Sequence, residues 1–324
     1  MNKFSTIAIQ MDPLEVLDYN SDSTYLIALE AQRRGYKVYV YQPQQLFVEE
    51  GKLKAHVHHV TFYKDLMAPF QVNDSHDVLL SDVDIIFLRQ DPPFNMAYIT
   101  STYLLEMVSN DTLILNNPKG VRNTSEKLSI MMFPELTAPT LVTSQLNDIL
   151  RFREKYHDIV IKPLYGRGGE GVFHFRETDD NLSSFIDFYK MHSDLPLMVQ
   201  KFIPDVSSGD KRIIIIDGEP IGAVMRKPKK GDFRANIHAG ATFEKTEITK
   251  NDQSICQQIR STLIENGLFF VGIDIIGSFL SEINVTSPTG LHKINQINNM
   301  QIESCIWDVI EKKFHNFYQR KNST

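Results

Sequence analysis

Two stretches of this sequence combine residue types that handle phosphate and metal ions. The first is Tyr165-Gly166-Arg167-Gly168-Gly169-Glu170-Gly171, which follows Ile161-Lys162-Pro163 at the end of an apolar run. Glycines let backbone amides approach phosphate oxygens with no side chain in the way. The run lacks the lysine and hydroxyl of a P-loop, and it precedes a strand rather than a helix, which argues against a dinucleotide fingerprint. A glycine-rich hairpin is the competing reading. Lys162 ends a buried strand beside the loop, so its ammonium needs an anion, and phosphate supplies one.

The second stretch is Gly272-Ile273-Asp274-Ile275-Ile276 followed by Ser281-Glu282-Ile283-Asn284. Glu282 and Asn284 are two apart in a strand and leave the same face. A hairpin turn of three residues would set Asp274 directly opposite Glu282. Facing carboxylates repel unless a proton or a cation separates them. Their hard oxygens suit Mg²⁺, which usually also takes water and phosphate oxygens. The alternative is a solvated face with scattered acids, which the apolar neighbours disfavour.

A third set is cationic. Gly209-Asp210-Lys211-Arg212 opens a strand of four isoleucines, Arg226 ends the returning strand, and Arg234 lies in the polar, glycine-containing loop 227–242. Such a loop is expected to act as a lid. Taken singly, its charges read as ordinary surface. His56, His58 and His59 have no further ligand cluster nearby, and Cys256 and Cys305 lack the CxxC spacing of zinc or redox sites. Trp307, Phe314 and Tyr318 read as the packing face of a terminal helix.

The elements that must position these groups are legible in outline. Residues 6–9, 38–41, 84–88 and 113–115 read as strands, with a helix that Asp22-Ser23 caps, that runs through 25–31 and that ends with Arg33, Arg34 and Gly35, and a second helical stretch over 98–108. Strands interleaved with helices predict a mostly parallel sheet. Asn116-Asn117-Pro118-Lys119-Gly120 is a turn cluster and a candidate boundary. Beyond it, strands at 159–162, 172–175, 197–203, 212–216, 269–276 and 279–284, with a helix at 182–191, predict an α+β region that is largely antiparallel. Asp217-Gly218 and Gly277-Ser278 are its hairpin turns.

At ~150 residues per domain, 324 residues make about two domains. Hydrophobic residues at 42% and charged residues at 23% exclude a disordered chain. Acids outnumber bases, 40 to 34, so a nucleic-acid partner is not expected. Two cysteines cannot build a disulfide framework. With no export signal and no apolar run long enough to span a bilayer, a soluble cytoplasmic protein without a membrane partner is expected.

Taken together, these segments resemble the bacterial glutathione synthetases, ligases of the ATP-grasp superfamily, over nearly the whole chain. The resemblance rests on Met11-Asp12-Pro13, Leu29-Glu30-Ala31-Gln32-Arg33-Arg34-Gly35-Tyr36 and Arg89-Gln90-Asp91-Pro92-Pro93-Phe94. It continues through Asn123-Thr124-Ser125-Glu126-Lys127-Leu128, the Lys162 strand with its glycine loop, and Gly209-Asp210-Lys211-Arg212. It closes with Val271-Gly272-Ile273-Asp274-Ile275-Ile276-Gly277 and Leu280-Ser281-Glu282-Ile283-Asn284-Val285-Thr286-Ser287-Pro288-Thr289.

The resemblance implies an N-terminal α/β substrate-binding domain (1–121), a central lid subdomain (122–203) and a C-terminal catalytic subdomain with an antiparallel sheet (204–324). It implies ligation of γ-glutamylcysteine to glycine with release of ADP and phosphate. By residue matching, Lys127 and Lys162 hold ATP phosphates and Gly166, Gly168 and Gly169 close over them. Gln200 and Phe202 lie on the adenine-facing strand, and Asp210 reaches the ribose. Asp274, Glu282 and Asn284 match ligands of Mg²⁺, with Mn²⁺ as the substitute ion. Arg212 steadies the transferred phosphoryl group, while Arg89, Arg226, Arg234, Asn236, Thr286 and Ser287 match the substrate side.

A homotetramer is also implied. Tyr165 and Arg167 in the glycine loop, Lys229-Lys230 in the lid and Ala241-Thr242 at its end depart from the usual pattern. The chemistry agrees with the residues independently. A carboxylate resists amines until phosphorylation turns it into an acyl phosphate, and that step mainly needs positioning and charge neutralisation. Two rival readings are a different ATP-grasp carboxylate–amine ligase and a non-catalytic nucleotide-binding regulator.

Overall fold

Short β-branched runs alternating with amphipathic helices build the first of three sheets. The computed structural model describes residues 5–166, 168–235 and 240–321. The first sheet contains β1 (Thr6–Gln10), β2 (Lys37–Tyr41), β3 (Leu46–Glu49), β4 (Lys52–Phe62), β5 (Phe70–Leu79), β6 (Ile85–Leu88) and β7 (Leu113–Leu115). Strands β2, β1, β6 and β7 run parallel in that order. Its helices are α1 (Ser23–Arg33), α2 (Met96–Glu106) and the short α3 (Pro118–Asn123). Asp22 caps α1 by accepting from the amides of Thr24 and Tyr25, and Gly35 at φ +87° ends it.

The expected mostly parallel sheet is corrected on one side, where β3, β4 and β5 form an antiparallel extension joined to β2 through β4. Strand β5 is exposed along most of its length, so it carries no apolar alternation by which a sequence reading could find it. The three histidines of β4 face this strand, where His56 meets Asp77, His58 meets Ser75 and His59 meets Asp74. They are cross-strand partners on a sheet surface.

The second sheet, ordered β10-β9-β11-β8, is antiparallel throughout, with β8 (Thr140–Thr143), β9 (Ile159–Pro163), β10 (Phe173–Phe175) and β11 (Leu197–Lys201). Helices α4 (Leu146–Tyr156) and α5 (Leu182–His192) cover one face. Ile149, Ile159, Ile161, Phe175, Leu182, Ile186, Leu197 and Val199 make a small core of its own.

The third sheet, also antiparallel, is ordered β14-β13-β12-β15-β16, with β12 (Asp210–Ile216), β13 (Glu219–Lys227), β14 (Thr242–Glu244), β15 (Phe270–Ile276) and β16 (Phe279–Asn284). Asp217 and Gly218 both take positive φ, 50° and 84°, as a two-residue hairpin turn of right-handed strands requires. Lys227 pairs with Thr242, so the segment expected to be a lid is an arm rooted in the edge of this sheet. Helices α6 (Lys250–Glu265), α7 (Leu291–Asn298) and α8 (Ile302–Lys321) complete the chain.

The first and third sheets share their apolar interior. Ile7, Val38 and Phe87 belong to the same cluster as Ile214, Val224, Leu291 and Trp307. Trp307 on α8 is fully buried against Tyr36 and Phe87, and its indole N–H donates to the carbonyl of Ile27 at 2.9 Å. Trp307 and Phe314 therefore pack the terminal helix, as the sequence predicts, whereas Tyr318 lies exposed. A second cluster spans the same two sheets, and to it residues 140–201 add the buried side chains of Leu164 and Met198.

Helix α3 touches the C-terminal end of α6 without a side chain between them. A Cβ on Gly120 would lie 1.9 Å from the carbonyl oxygen of Asn266, and the Asn117 amide donates to Gly267 at 3.0 Å. Gly120→Ala is therefore expected to destabilise the protein by about 1–3 kcal/mol, the usual cost of overpacking. An unchanged denaturation midpoint would show that the two backbones part freely.

Candidate active site

One row of side chains crosses three strands of the third sheet. Arg212 on β12 pairs with Asp274 on β15, and Asp274 pairs with Glu282 on β16. The turn between β15 and β16 has two residues rather than three, with Ile276 opposite Phe279. A bulge at Ser281 supplies the extra residue: Ile275 faces Leu280, yet Asp274 faces Glu282. The expected opposition of the carboxylates thus arises from a different local geometry.

Arg212 Nε and Nη2 donate to the two oxygens of Asp274 at 2.5 and 2.9 Å. Arg226 Nη2 lies 2.9 Å from Asp274 Oδ2 and 2.5 Å from Asp210 Oδ2. Asn284 Nδ2 donates to Asp274 Oδ2 at 3.3 Å and to the Gly272 carbonyl at 3.1 Å. Burial opposes ionisation of Asp274, but the guanidinium groups of Arg212 and Arg226 outweigh it and hold its carboxyl well below the usual range. Gly272 leaves room for this arrangement, since a Cβ there would sit 3.3 Å from Cδ and Nη1 of Arg212.

Two lysines approach from the other side. Lys127 Nζ pairs with Glu282 Oε1 at 3.0 Å and donates to the Gly166 carbonyl at 2.7 Å. Lys162 Nζ donates to Gln200 Oε1 at 2.6 Å and to the bulged Ser281 hydroxyl at 3.3 Å. Burial pushes the pKa of Lys162 down, which leaves its charge in want of an anion. In the glycine loop, Gly168 and Gly169 take φ of 60° and 78°. Tyr165 stacks on Phe94 with ring centres 6.2 Å apart. Arg167 and Asn236 lie outside the described residues.

These groups line a cleft between the second and third sheets, together with Gly166, Gly168, Gly169, Gln200, Phe202, Arg234, Thr286 and Ser287. Its apolar end holds Val160, Ile203, Ile276 and Leu280, and Phe202 stacks on His174 at 3.9 Å. Arg234 pairs with Asp232 at 2.8 Å. Arg89 is placed differently. It is 4% exposed, donates to Thr24 Oγ1 and to the Pro288 carbonyl at 3.1 Å each, and lies over the Phe270 ring. Its Nη1 is buried without a hydrogen-bond partner.

Among the cleft residues that sequence reasoning did not assign are Asp91, Glu126 and Ser281. Asp91 lies within the Arg89 motif, Glu126 immediately precedes Lys127, and Ser281 reaches the site through the bulge. The first two carried a signal in their neighbours, whereas the bulge had none.

Asp274, Glu282 and Asn284 carry hard oxygen donors and line the same cleft, and this donor set fits a magnesium-type ion. Among the described residues there is no cluster of three or more His, Cys, Asp and Glu able to hold an ion alone. An ion held by one or two carboxylates and completed by water and phosphate oxygens needs none.

Residues 6–122 match the family model of the prokaryotic glutathione synthetase N-terminal domain, and residues 126–299 match that of its ATP-grasp domain. The chain belongs to the prokaryotic glutathione synthetase family. It is 45% identical to the glutathione synthetase of Agrobacterium fabrum over 313 residues, covering 97% of this chain and 98% of that one. The fold extends to D-cycloserine synthetase DcsG, with a TM-score of 0.66 at 13% identity over 96% of this chain and 100% of the other. It also matches the ATP-grasp ligase PsnB complexed with a minimal precursor, Mg and ADP, with a TM-score of 0.60 at 16% identity over 96% and 98% of the two chains.

As a member of this glutathione synthetase family, the chain is an ATP-dependent, ADP-forming ligase that joins γ-L-glutamyl-L-cysteine to glycine. No helix among the described residues is long and apolar enough to cross a membrane.

Asp274→Asn would leave two buried guanidinium groups without their shared anion. The expected loss of stability is about 3–5 kcal/mol, read as a lower denaturation midpoint. A midpoint equal to wild type would mean that water or a rearranged Asp210 takes over the role.

Proposed function

We propose that the row Arg212–Asp274–Glu282, facing Lys127 and Lys162 across the cleft, is the centre at which a dipeptide carboxylate is phosphorylated and then captured by glycine. What supports this reading is the convergence of two lysines, two arginines and a facing pair of carboxylates in one cleft. In it, residues 1–121 form the substrate-binding unit, 122–203 the nucleotide lid and 204–324 the catalytic unit. Gln200 and Phe202, with the apolar end of the cleft, hold adenine, and Asp210 holds the ribose. Gly166, Gly168 and Gly169 offer amides to the phosphates.

Asp274, Glu282 and Asn284 would hold Mg²⁺, or Mn²⁺ in its place, and the ion would neutralise charge on the phosphate oxygens. The cysteinyl carboxylate of γ-glutamylcysteine attacks the terminal phosphorus of ATP, and ADP leaves. Arg212 and Lys162 offset the charge that spreads over the equatorial oxygens. The glycine amine then attacks the acyl carbon, loses a proton, and phosphate departs.

Arg89, through its grip on the Pro288 carbonyl, keeps Thr286 and Ser287 on the substrate side. Arg226 and Arg234 serve the substrate, a role the sequence also gives Asn236, and the arm between β13 and β14 excludes water from the acyl phosphate. A homo-oligomer acting in the cytoplasm, with small-molecule partners alone, belongs to the same reading. The direct test is one reaction with ATP, Mg²⁺, γ-glutamylcysteine and glycine, analysed for the tripeptide by mass spectrometry. Product with another amine or carboxylate but none with these would overturn it.

Two variants test the assigned roles. Glu282→Gln is expected to stay folded and to lose on the order of 10²-fold in kcat; near-normal turnover at saturating Mg²⁺ would remove Glu282 from the ligand set. Arg212→Lys keeps the charge but loses the planar fork. With ATP, dipeptide and hydroxylamine in place of glycine, wild type should form a hydroxamate and ADP, and the variant far less of both. Wild-type trapping combined with failure only in the presence of glycine would move Arg212 to the amine step.

A further inference from the structure

Strand β16 carries Glu282 and Asn284 and is the last strand of its sheet, so the edge facing away from β15 needs partners from elsewhere. The segment joining the first and second sheets supplies them. The Ile283 amide donates to the Glu126 carbonyl at 3.0 Å. The amides of Val285 and Thr286 donate to Glu126 Oε1 at 2.9 and 3.1 Å, and the Thr286 hydroxyl to the same oxygen at 2.9 Å. The Val285 carbonyl accepts from Asn116 Nδ2 at 2.8 Å. Lys127, next in the chain, takes Glu282. Residues on both sides of Asn284 are thus held by one carboxylate and its peptide.

We infer that Glu126 is a positioning residue for the divalent ion, fixing the backbone on either side of Asn284 so that Asn284 and Glu282 aim at one point opposite Asp274. The inference rests on the ligand assignment made above. The acceptor must reach two successive amides and a hydroxyl through a side chain of fixed length, so reach decides its effect. All three donors converge on a single oxygen, which a glutamine carbonyl can replace. An aspartate, one methylene shorter, keeps the charge but cannot hold the peptide bond and the amides together. Misaimed outer partners of a metal site typically cost 10–100-fold in metal affinity or activity.

The readout is the gain in ADP affinity that Mg²⁺ confers, measured by calorimetry on the intact protein without turnover. Glu126→Ala is expected to lose about 10–100-fold of that gain while keeping its Mg²⁺-free ADP affinity. Glu126→Gln should recover most of the gain, and Glu126→Asp little. A merely structural role would lower both affinities together and would not rank glutamine above aspartate. If the alanine variant fails to fold, the ranking of glutamine against aspartate decides. Aspartate equal to or better than glutamine overturns the inference. Loss of the gain in Glu282→Gln with its retention in Glu126→Ala overturns the role of Glu126 alone. Retention in both overturns the ligand assignment beneath it as well.

Discussion

A carboxylate stays charged in the middle of a sheet only if cations meet it there, and Asp274 is met by two. Removing ions from water costs several kcal/mol each, which is recovered only when geometry and hydrogen bonding are both good. The antiparallel register supplies that geometry, because Arg212 and Asp274 are paired residues on adjacent strands. Arg212 Nη1 also donates to the Thr289 carbonyl at 3.2 Å, and Arg89 to that of Pro288. The loop after β16 therefore hangs from two buried guanidinium groups, one of which, Arg212, is also a partner of Asp274.

The same logic explains why the cleft gathers charges without self-repulsion. Lys127 is shared between Glu282 and the Gly166 carbonyl, so the glycine loop and the carboxylate wall are tied through one ammonium. Lys162 is steadied by a neutral amide and a hydroxyl while burial lowers its pKa, so an arriving anion would stabilise its charged form. The wall is thus close to neutral on the acid side and cationic where phosphate would lie.

Most of this could be read from residue types, and what could not was determined by contacts distant in sequence. The two-residue period of β16 placed Glu282 and Asn284 on one face, whereas Asp274 was set opposite them by a three-residue turn that the structure replaces with a two-residue turn and a bulge. The bulge at Ser281 was invisible, because nothing in residue type announces an extra residue in a ladder. Strand β5 was missed because its exposed residues carry no period. Helix α6 was missed although Thr249 and Asp252 form a capping box at its start. Glu126 reads as one more acid until the backbone of Val285, 159 positions away, is seen to lean on it. Asn236 and Arg167 were named from the sequence and lie outside the described residues.

The uneven sharing of apolar interior sets how the molecule can work mechanically. The first and third sheets are fused through common cores, with Trp307 as one of the joints. The second sheet keeps eight buried side chains to itself and lends to the common interior the buried Leu164 and Met198, with the partly buried Val142 packed against that interior. Rotating that sheet away from the other two exposes little apolar surface, whereas separating the first from the third would break open both shared clusters. Parting the second sheet from the other two is therefore the opening that uncovers less apolar surface, and the contacts of Lys127 with the Gly166 carbonyl and of Lys162 with the Ser281 hydroxyl span that boundary.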